Sequence, residues 1–382
     1  MKHLSKIMVP ALLLSSTAHA GGLYLYEIAT DDVGLAAAGA AARAEDSSVM
    51  AANPAALTHV KGKSLTSGFQ ALYGDTDFDL DDSSLNGPGN TIGFTPIASS
   101  FYSQQLNDKW TFGIGLYGNF GLGLDYGNWA GSALLKEIEL KALIVQPTVA
   151  YKFNDQWSFG AGLGINYGKF SIKNDLISGE LDDSDWAFNG KIGVLYEMDE
   201  NTRFGLAYSS EADFDFEPEF DNIEFDLDAT FNAPQQILFS AYHRYNADWA
   251  IMGNLGWQDW TEYGKSEIND GTLAPRGKFK DTYHFALGAQ YTVSPKLLWN
   301  MGVAYDTSMF DKQSEGDITI PTGQAYRIGT GLKYALDDKQ SIGVALEGLF
   351  IESSRADFGP IRGSYDNPAL YFLMMNYSWK SL

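Results

Sequence analysis

Most of the chain repeats one pattern, in which large apolar side chains alternate with small or polar ones over about ten to fourteen residues. This period of two residues is the period of a β-strand. In residues 157–168, the first face comprises Trp157, Phe159, Ala161, Leu163, Ile165 and Tyr167, and the second comprises Ser158, Gly160, Gly162, Gly164, Asn166 and Gly168. Such runs exceed the roughly 5–6 residues usual for soluble strands and match the roughly 9–11 residues with which a tilted strand crosses a bilayer. Aromatic residues often end the apolar faces, as at membrane interfaces. The pattern therefore predicts membrane-spanning strands.

The connections between these runs alternate between short and long. Six short turns are built from residues that favour tight reversals of the chain, and they lie at 107–108, 154–156, 199–201, 246–248, 294–296 and 337–339. Seven longer polar connections lie near 76–89, 122–137, 173–184, 218–231, 262–279, 307–323 and 354–366. Together they join 14 strands, and an even number with short periplasmic turns and long outer loops is typical of outer-membrane barrels. We predict an all-β fold, a 14-stranded antiparallel transmembrane β-barrel over residues 63–382, in a Gram-negative outer membrane.

The first 20 residues have the pattern of a secretory signal peptide. Lys2 and Lys6 precede a short apolar run, and Ala18-His19-Ala20 is an A-x-A cleavage pattern. The apolar run is far shorter than the roughly 20 residues of a spanning helix. We therefore predict that residues 1–20 are removed on export.

The chain is strongly acidic, with a formal charge of −22 at pH 7. This charge argues against nucleic acid as a partner, because binding to phosphates requires a basic surface. Three predicted outer loops, residues 75–82, 175–185 and 211–228, are especially acidic. We interpret them as a solvated outer face; the alternative is that they bind divalent cations near lipopolysaccharide, since hard cations prefer clustered oxygen ligands.

The sequence offers no clear catalytic or metal-binding constellation. The histidines that follow the signal peptide, His59, His243 and His284, are widely separated, and no G-x-S-x-G motif is present. We predict no catalytic residue, no cofactor and no metal ligand set. His284 is expected to face the barrel lumen as one polar wall residue among several.

Residues 21–62 precede the first strand and are predicted to form a plug, here called the hatch. A 14-stranded barrel leaves a lumen too wide for wall side chains to fill. Residues 33–50 are rich in Ala and Gly, which suits compact helical turns. Pro54 blocks continuation of a helix and biases Asn53 to an extended or turn conformation. The hatch therefore supplies material that can block the lumen.

Several segments resemble the FadL family of outer-membrane long-chain fatty acid transporters, which also includes the TodX-type aromatic hydrocarbon channels. In the hatch they are GGLYLYE (21–27), GLAAAGAAARAEDSS (34–48) and NPAAL (53–57). In the barrel they are GNFGLGLDYGNWAG (118–131), QPTVAYKFNDQWSFGAGLG (146–164), NAPQQILFSAYHRYNADWAI (232–251) and FKDTYHFALG (279–288). The resemblance covers essentially the whole chain after the signal peptide.

The resemblance implies a plugged barrel that captures a hydrophobic molecule outside and releases it sideways through a gap beside a kinked third strand. By matching positions, the hatch residues implied in ligand binding are Leu23, Leu25, Asn53, Pro54 and Ala55, and the residues implied at the kink are Gly118, Asn119, Phe120 and Gly121. We further expect the Asn53 amide to bond backbone groups left unpaired at residues 118–121. Fatty acid members often carry a long helical loop after the fifth strand. Here residues 173–184 are short, which predicts a reduced outer capture groove.

Together these observations predict passive uptake of a hydrophobic molecule, with a long-chain fatty acid as the first candidate. The protein is expected to be a monomer in contact with outer-membrane lipid and lipopolysaccharide. An aromatic hydrocarbon channel of the same fold is the first alternative. A general porin is disfavoured because the hatch would have no role in it, and a barrel lipase is disfavoured by the missing serine motif. Ion conductance would distinguish the porin, and ester hydrolysis would distinguish the lipase.

Overall fold

The structure is a computed structural model that describes residues 24–176, 180–218, 227–263, 265–268, 271–273, 279–312, 316–358 and 361–381. Its main sheet has 15 strand segments, of which Trp110–Tyr117 and Gly121–Asp125 pair with the same neighbour and form one interrupted strand. The described residues thus contain 14 antiparallel barrel strands. The first strand pairs with the last, from Lys63 opposite Ser381 to Asp75 opposite Ala369, and this pairing closes the barrel. The predicted fold class is confirmed.

In chain order the barrel strands are β1 (Lys63–Asp75), β2 (Phe94–Gln105), β3 (Trp110–Tyr117 and Gly121–Asp125), β4 (Glu137–Lys152), β5 (Trp157–Lys173), β6 (Leu181–Glu197), β7 (Thr202–Ser209), β8 (Gln236–Arg244), β9 (Trp249–Gln258), β10 (Thr282–Ser294), β11 (Leu297–Asp306), β12 (Ala325–Ala335), β13 (Gln340–Ile351) and β14 (Ala369–Ser381). Outer loops add two small sheets. One contains Asp77–Leu80, Gly89–Asn90, Ser354–Phe358 and Ile361–Tyr365, and the other contains Ala212–Phe216, Leu227–Ala233, Lys265–Ile268 and Gly271–Leu273.

The barrel is apolar on its outer face and polar on its inner face. On β5, Phe159 and Leu163 are 43% and 46% exposed, whereas Ser158 and Asn166 on the opposite face are buried. In a membrane barrel, the exposed apolar side chains of a strand contact lipid. The two faces predicted for residues 157–168 are therefore present, with the large apolar face outward.

All six predicted short turns connect consecutive barrel strands. In five of them an Asn or Asp side chain accepts hydrogen bonds from backbone N–H groups two and three residues later, which fixes the reversal. These residues are Asn107, Asn154, Asp199, Asn246 and Asp337. The turn chemistry explains why these boundaries could be predicted.

The predicted acidic outer loop at residues 211–228 has more structure than expected. Ala212–Phe216 and Leu227–Ala233 pair as a hairpin beyond the end of β7. The segment 212–216 alternates apolar and acidic residues, and its apolar side chains are buried while its acidic ones are exposed. The prediction of a loop is therefore wrong for residues 212–216, where the alternation of apolar and acidic residues corresponds to a strand.

Residues 24–62 form no barrel strand. They contain the helix α1 (Thr30–Leu35) and two 3₁₀ helices, Ser47–Ala51 and Pro54–His59, and they pack against wall strands on several sides of the barrel. None of the helices in the described ranges has the length and apolar character needed to span a membrane.

We expect the detergent-extracted protein to be a monomer whose electrophoretic mobility changes on boiling. Because the first strand pairs with the last, the barrel has no terminal edge strand to which another chain can add. The measurement is gel migration of boiled and unboiled samples together with light scattering in detergent. Identical migration of both samples, or a helical circular dichroism spectrum, would contradict the barrel.

Candidate transport site

The barrel wall has a break between β2 and β3. Pairing of these strands extends only from Gln105 opposite Thr111 to Ser100 opposite Leu116. Beyond residues 118–120, the second segment of β3 pairs with β4 alone, from Gly121 opposite Lys141 to Asp125 opposite Glu137. Beyond the break, the Asp125 N–H donates to the Thr91 carbonyl at 2.9 Å. The described ladder therefore contains a bounded lateral gap, which lies beside residues 94–99 of β2.

Two glycines allow β3 to bend at this gap. A Cβ atom on Gly118 would lie 2.9 Å from the Ala142 carbonyl oxygen, and one on Gly121 would lie 2.5 Å from the Leu140 carbonyl oxygen. Both distances are too short for a real Cβ contact, and the obstructing atoms are backbone. Glycine in a strand commonly marks such a close backbone approach. The kink therefore depends on both positions.

The N-terminal residues cover the inner side of the break. Tyr24 forms a β-bridge with Phe120, and the Leu25 N–H donates to the Asn119 carbonyl at 2.8 Å. The Asn119 Nδ2 donates to the Tyr24 hydroxyl at 2.9 Å, and the Ser99 Oγ of β2 donates to the Ile28 carbonyl at 2.9 Å. The structure thus brings three of the predicted residues together, Leu25, Asn119 and Phe120. Leu23 lies outside the described residues.

Asn53 contacts a different part of the wall, and the expectation that it bonds residues 118–121 is wrong. Its Nδ2 donates to the Ala41 carbonyl at 2.7 Å and to the Val194 carbonyl of β6 at 3.0 Å, while its Oδ1 accepts from the Ala55 N–H at 3.0 Å. Asn53 is the N-cap of Pro54–His59, and Pro54 occupies the first helical position, where an N–H has no helical partner. Because Tyr24 and Leu25 already pair with the break, Asn53 instead anchors the hatch to β6.

Wall glycines bring the hatch backbone into contact with the barrel. A Cβ on any of eight wall positions, here called the seat glycines, would lie closer than 3.0 Å to hatch atoms, and these positions are Gly113, Gly160, Gly193, Gly205, Gly288, Gly302, Gly329 and Gly343. At Gly302 the obstructing atoms are the Leu35 carbonyl group, and at Gly205 they belong to the Ala41 carbonyl group. The sequence pattern identified a face of small residues but not its role as a seat for the hatch.

Three of the seat glycines form one row across neighbouring strands. Gly288 of β10 is opposite Gly302 of β11, which is opposite Gly329 of β12. This glycine row lies against residues 33–38 of the hatch, and Leu35 within that segment is fully buried. Close packing of backbone on backbone here leaves little space for water.

Buried charges attach the hatch to the wall. The Lys333 Nζ of β12 donates to Asp31 at 2.8 Å, the Asn300 Nδ2 of β11 donates to Asp31 at 2.8 Å, and Arg43 pairs with Asp32. Burial alone would raise the pKa of the Asp31 carboxyl, but Lys333 and Arg43 lower it to about 2. Burial raises the pKa of the neighbouring Asp32 carboxyl to about 6, although Arg43 acts in the opposite direction. The sequence analysis did not predict these anchors. The signal that could have identified them is a charged residue, such as Lys333, at an inward position of an alternating strand.

A small, mostly apolar cavity, here called the hatch cavity, lies under the N-terminal residues. It is lined by Tyr24, Leu25, Tyr26, Ile28, Asp32, Ala37, Ala40, Ala51, Ala52, Lys191, Ala207, Tyr208, Ser209, Gln236 and Leu238. Its volume of about 30 Å³ is enough for only about two water molecules. A larger ligand can therefore bind only if lining residues move.

Lys191 is the one basic residue of this lining. Its side chain is buried, and its Nζ donates to the Ala51 carbonyl. Within the ranges that the structure describes, no carboxylate lies within ion-pair distance of Lys191. A buried ammonium without an anionic partner is costly and favours an anionic ligand.

The structure also places the remaining polar residues considered in the sequence. His284 is buried inside the barrel, and its Nδ1 lies 2.7 Å from Asp306 Oδ1. No group of three or more His, Asp or Glu side chains is arranged to hold a metal ion in the described part of the chain.

The model of the family described as outer membrane protein transport protein (OMPP1/FadL/TodX) matches residues 11–358. The chain is 24% identical over 443 residues to the long-chain fatty acid transport protein of Escherichia coli K12, with 98% of each chain covered. A crystal structure of a Pseudomonas aeruginosa FadL homologue superposes with a TM-score of 0.83 at 15% identity, covering 94% of this chain and 99% of that one. The Ralstonia pickettii toluene transporter TbuX superposes with a TM-score of 0.70 at 17% identity, covering 93% and 98%. This chain therefore belongs to the OMPP1/FadL/TodX family of outer-membrane transport proteins.

Proposed function

We propose that this outer-membrane protein takes up long-chain fatty acids by binding them in a widened hatch cavity and releasing them through the gap between β2 and β3. The observation that carries the proposal is the buried Lys191, the one basic group in an otherwise mostly apolar lining. A fatty acid supplies both an apolar chain for the cavity and a carboxylate for the ammonium. The E. coli relative is named for the transport of such molecules.

Two structural features support sideways release. The hatch backbone contacts the wall at the seat glycines, so a straight path to the periplasm would require the hatch to leave its seat. The gap beside residues 94–99, by contrast, already lacks ladder pairing and is covered from inside by Tyr24 and Leu25. Burial of an apolar chain at about 25 cal/mol per Å² supplies the driving force for capture. No covalent chemistry is proposed, and the family consists of transport proteins.

Aromatic hydrocarbon transport is the second candidate, and aromatic rings beside the break favour it. Phe120 stacks on Phe214 with a centroid distance of 6.2 Å, and Phe214 stacks on Phe216 at 5.9 Å. Such faces suit a planar apolar ligand. A neutral hydrocarbon, however, would leave Lys191 without an anionic partner. The two candidates therefore differ in whether binding depends on the charge of this lysine.

Replacing Lys191 with methionine tests the proposal. Because a hydrogen bond to a charged group contributes roughly 1.5–3 kcal/mol, we expect the affinity for a fluorescent long-chain fatty acid to fall by about tenfold or more. Affinity for the corresponding fatty alcohol should change little. Both are measured by titration of the purified protein in detergent.

Lys169→Met is the matched control, because Lys169 is a half-exposed strand lysine already paired with Asp182. It should leave both affinities unchanged. Equal affinity of Lys191→Met and the unmodified protein for the fatty acid would contradict the fatty acid proposal. Preferential binding of toluene by the unmodified protein would favour the second candidate.

A further inference from the structure

Residues 24–27, here called the strap, separate two cavities. A second cavity of about 70 Å³ lies on the side of the long loop between β11 and β12, and its lining includes Trp260, Met309, Asp306, Arg327, Leu349 and Ile351. Tyr24 and Tyr26 are the residues that line both this loop-side cavity and the hatch cavity. A ligand that passes directly from one cavity to the other must therefore displace these two strap residues.

The strap is held at both ends. At its start, Tyr24 bridges Phe120 and the Leu25 N–H bonds Asn119 at the break in β3. At its end, Glu27 pairs with the buried Arg327 of β12. Between these points the Tyr26 ring lies 5.5 Å from the Arg327 guanidinium and stacks on His284 at 4.2 Å. Arg327 thus organises the half of the strap that is remote from the gap.

Arg327 has other carboxyl partners besides Glu27. Its Nε donates to Asp306 at 2.6 Å, and its Nη1 also lies 3.4 Å from Glu347 Oε1. Three carboxylates therefore surround one guanidinium, and one buried oxygen of Glu27 and one of Glu347 have no hydrogen-bond partner in the described structure. If Glu27 leaves, Arg327 keeps its contacts with Asp306 and Glu347 and is not stranded as an unpaired buried charge. Release of the strap consequently costs less than breaking an isolated buried pair.

We propose that Arg327 is a positioning residue that keeps the strap closed through Glu27, and that detachment of Glu27 joins the two cavities during transport. The inference rests on the proposed use of the hatch cavity as the binding site, but it does not depend on which hydrophobic ligand binds. Arg327 does not itself line the hatch cavity, so it acts on the ligand path through the strap residues that it contacts.

Thiol labelling measures strap opening without a ligand. The chain has no cysteine, so Leu25→Cys introduces one buried reporter within the strap itself. We expect slow labelling of this variant by a soluble maleimide and labelling about tenfold faster or more when Glu27→Gln is added, corresponding to about 1.4 kcal/mol. Glu347→Gln is the matched control, because it removes a carboxylate from the same guanidinium without touching the strap, and it should leave labelling slow. Equal labelling rates with and without Glu27→Gln, or equal acceleration by Glu347→Gln, would overturn the proposal.

A reversible cross-link tests whether the strap moves during transport. Tyr24 and Phe120 are antiparallel bridge partners, a geometry within reach of a disulfide, so Tyr24→Cys with Phe120→Cys should lock the strap to the break. We expect cellular uptake of a labelled fatty acid to stop on oxidation and to recover with a reductant, while each single-cysteine variant does not respond. Uptake that continues with the disulfide formed would overturn the proposal. If Lys191→Met bound the fatty acid as tightly as the unmodified protein, only the fatty acid assignment would be contradicted. The strap proposal would stand, because the labelling rates are measured without ligand.

Discussion

Replacing Gly302 with valine is expected to displace the hatch and to make the barrel conduct ions. A Cβ atom at this position would lie closer than 3.0 Å to the carbonyl carbon and oxygen of Leu35, which are backbone atoms of the hatch. The wall cannot yield easily, because Gly302 is paired on both sides within the closed ladder. The hatch backbone must therefore move, and its contacts with the glycine row are lost.

Planar bilayer recordings measure this effect as stepwise conductance, which we expect to be absent or small in the unmodified protein. Gly190→Val is the matched control, because no atom lies within 4 Å of a Cβ at Gly190 of β6. It should insert and remain closed. A Gly302→Val protein that inserts normally and stays as closed as this control would show that the seat tolerates a side chain.

Replacing Asn53 with alanine is expected to loosen the hatch. The Asn53 amide is fully buried and serves the Ala41 carbonyl, the Val194 carbonyl and the Ala55 N–H. Truncation leaves these three groups without that partner, at roughly 1–3 kcal/mol for each group that stays unsatisfied. The barrel ladder is untouched, so the protein should still insert.

Hydrogen exchange of peptides from residues 24–62 measures the loosening, and we expect markedly faster exchange there but not in β5 or β6. Asn86→Ala is the control, since Asn86 is an exposed loop residue whose side chain makes one hydrogen bond, to the Asn128 carbonyl. Unchanged exchange of the hatch in the Asn53 variant would mean that the glycine contacts and ion pairs hold it without this amide.

The barrel could be predicted from the sequence because each strand carries its own evidence. Alternation in segments such as 157–168 fixes both the strand and its two faces, and residues such as Asn154 and Asp199 fix the reversals through bonds to nearby backbone. These are local relationships. The hairpin at 212–216 was missed because acidic charge was given more weight than its period of two residues.

The site was predicted only in part, because its contacts cross the lumen. Leu25, Asn119 and Phe120 were identified through a family resemblance, and the structure brings them together at the break. The partner of Asn53 could not be found by local reasoning, since Val194 is on another strand and no sequence pattern links the two. Lys191 and Arg327 did leave a signal: each is a charged residue at an inward position of an alternating strand.

The glycine row also constrains the order of events during assembly. Leu35 and Gly302 meet in space although they are 267 positions apart in the chain, so their contact is strongly non-local. Non-local contacts form late, because the closure of a long loop must precede them. The hatch precedes the barrel in the chain and is therefore synthesised first, yet its seat on β10–β12 exists only after most of the barrel strands are present. We therefore expect residues 24–62 to remain accessible to periplasmic proteases until the C-terminal strands pair. The time at which these residues become resistant to proteolysis would then mark the last step of barrel closure.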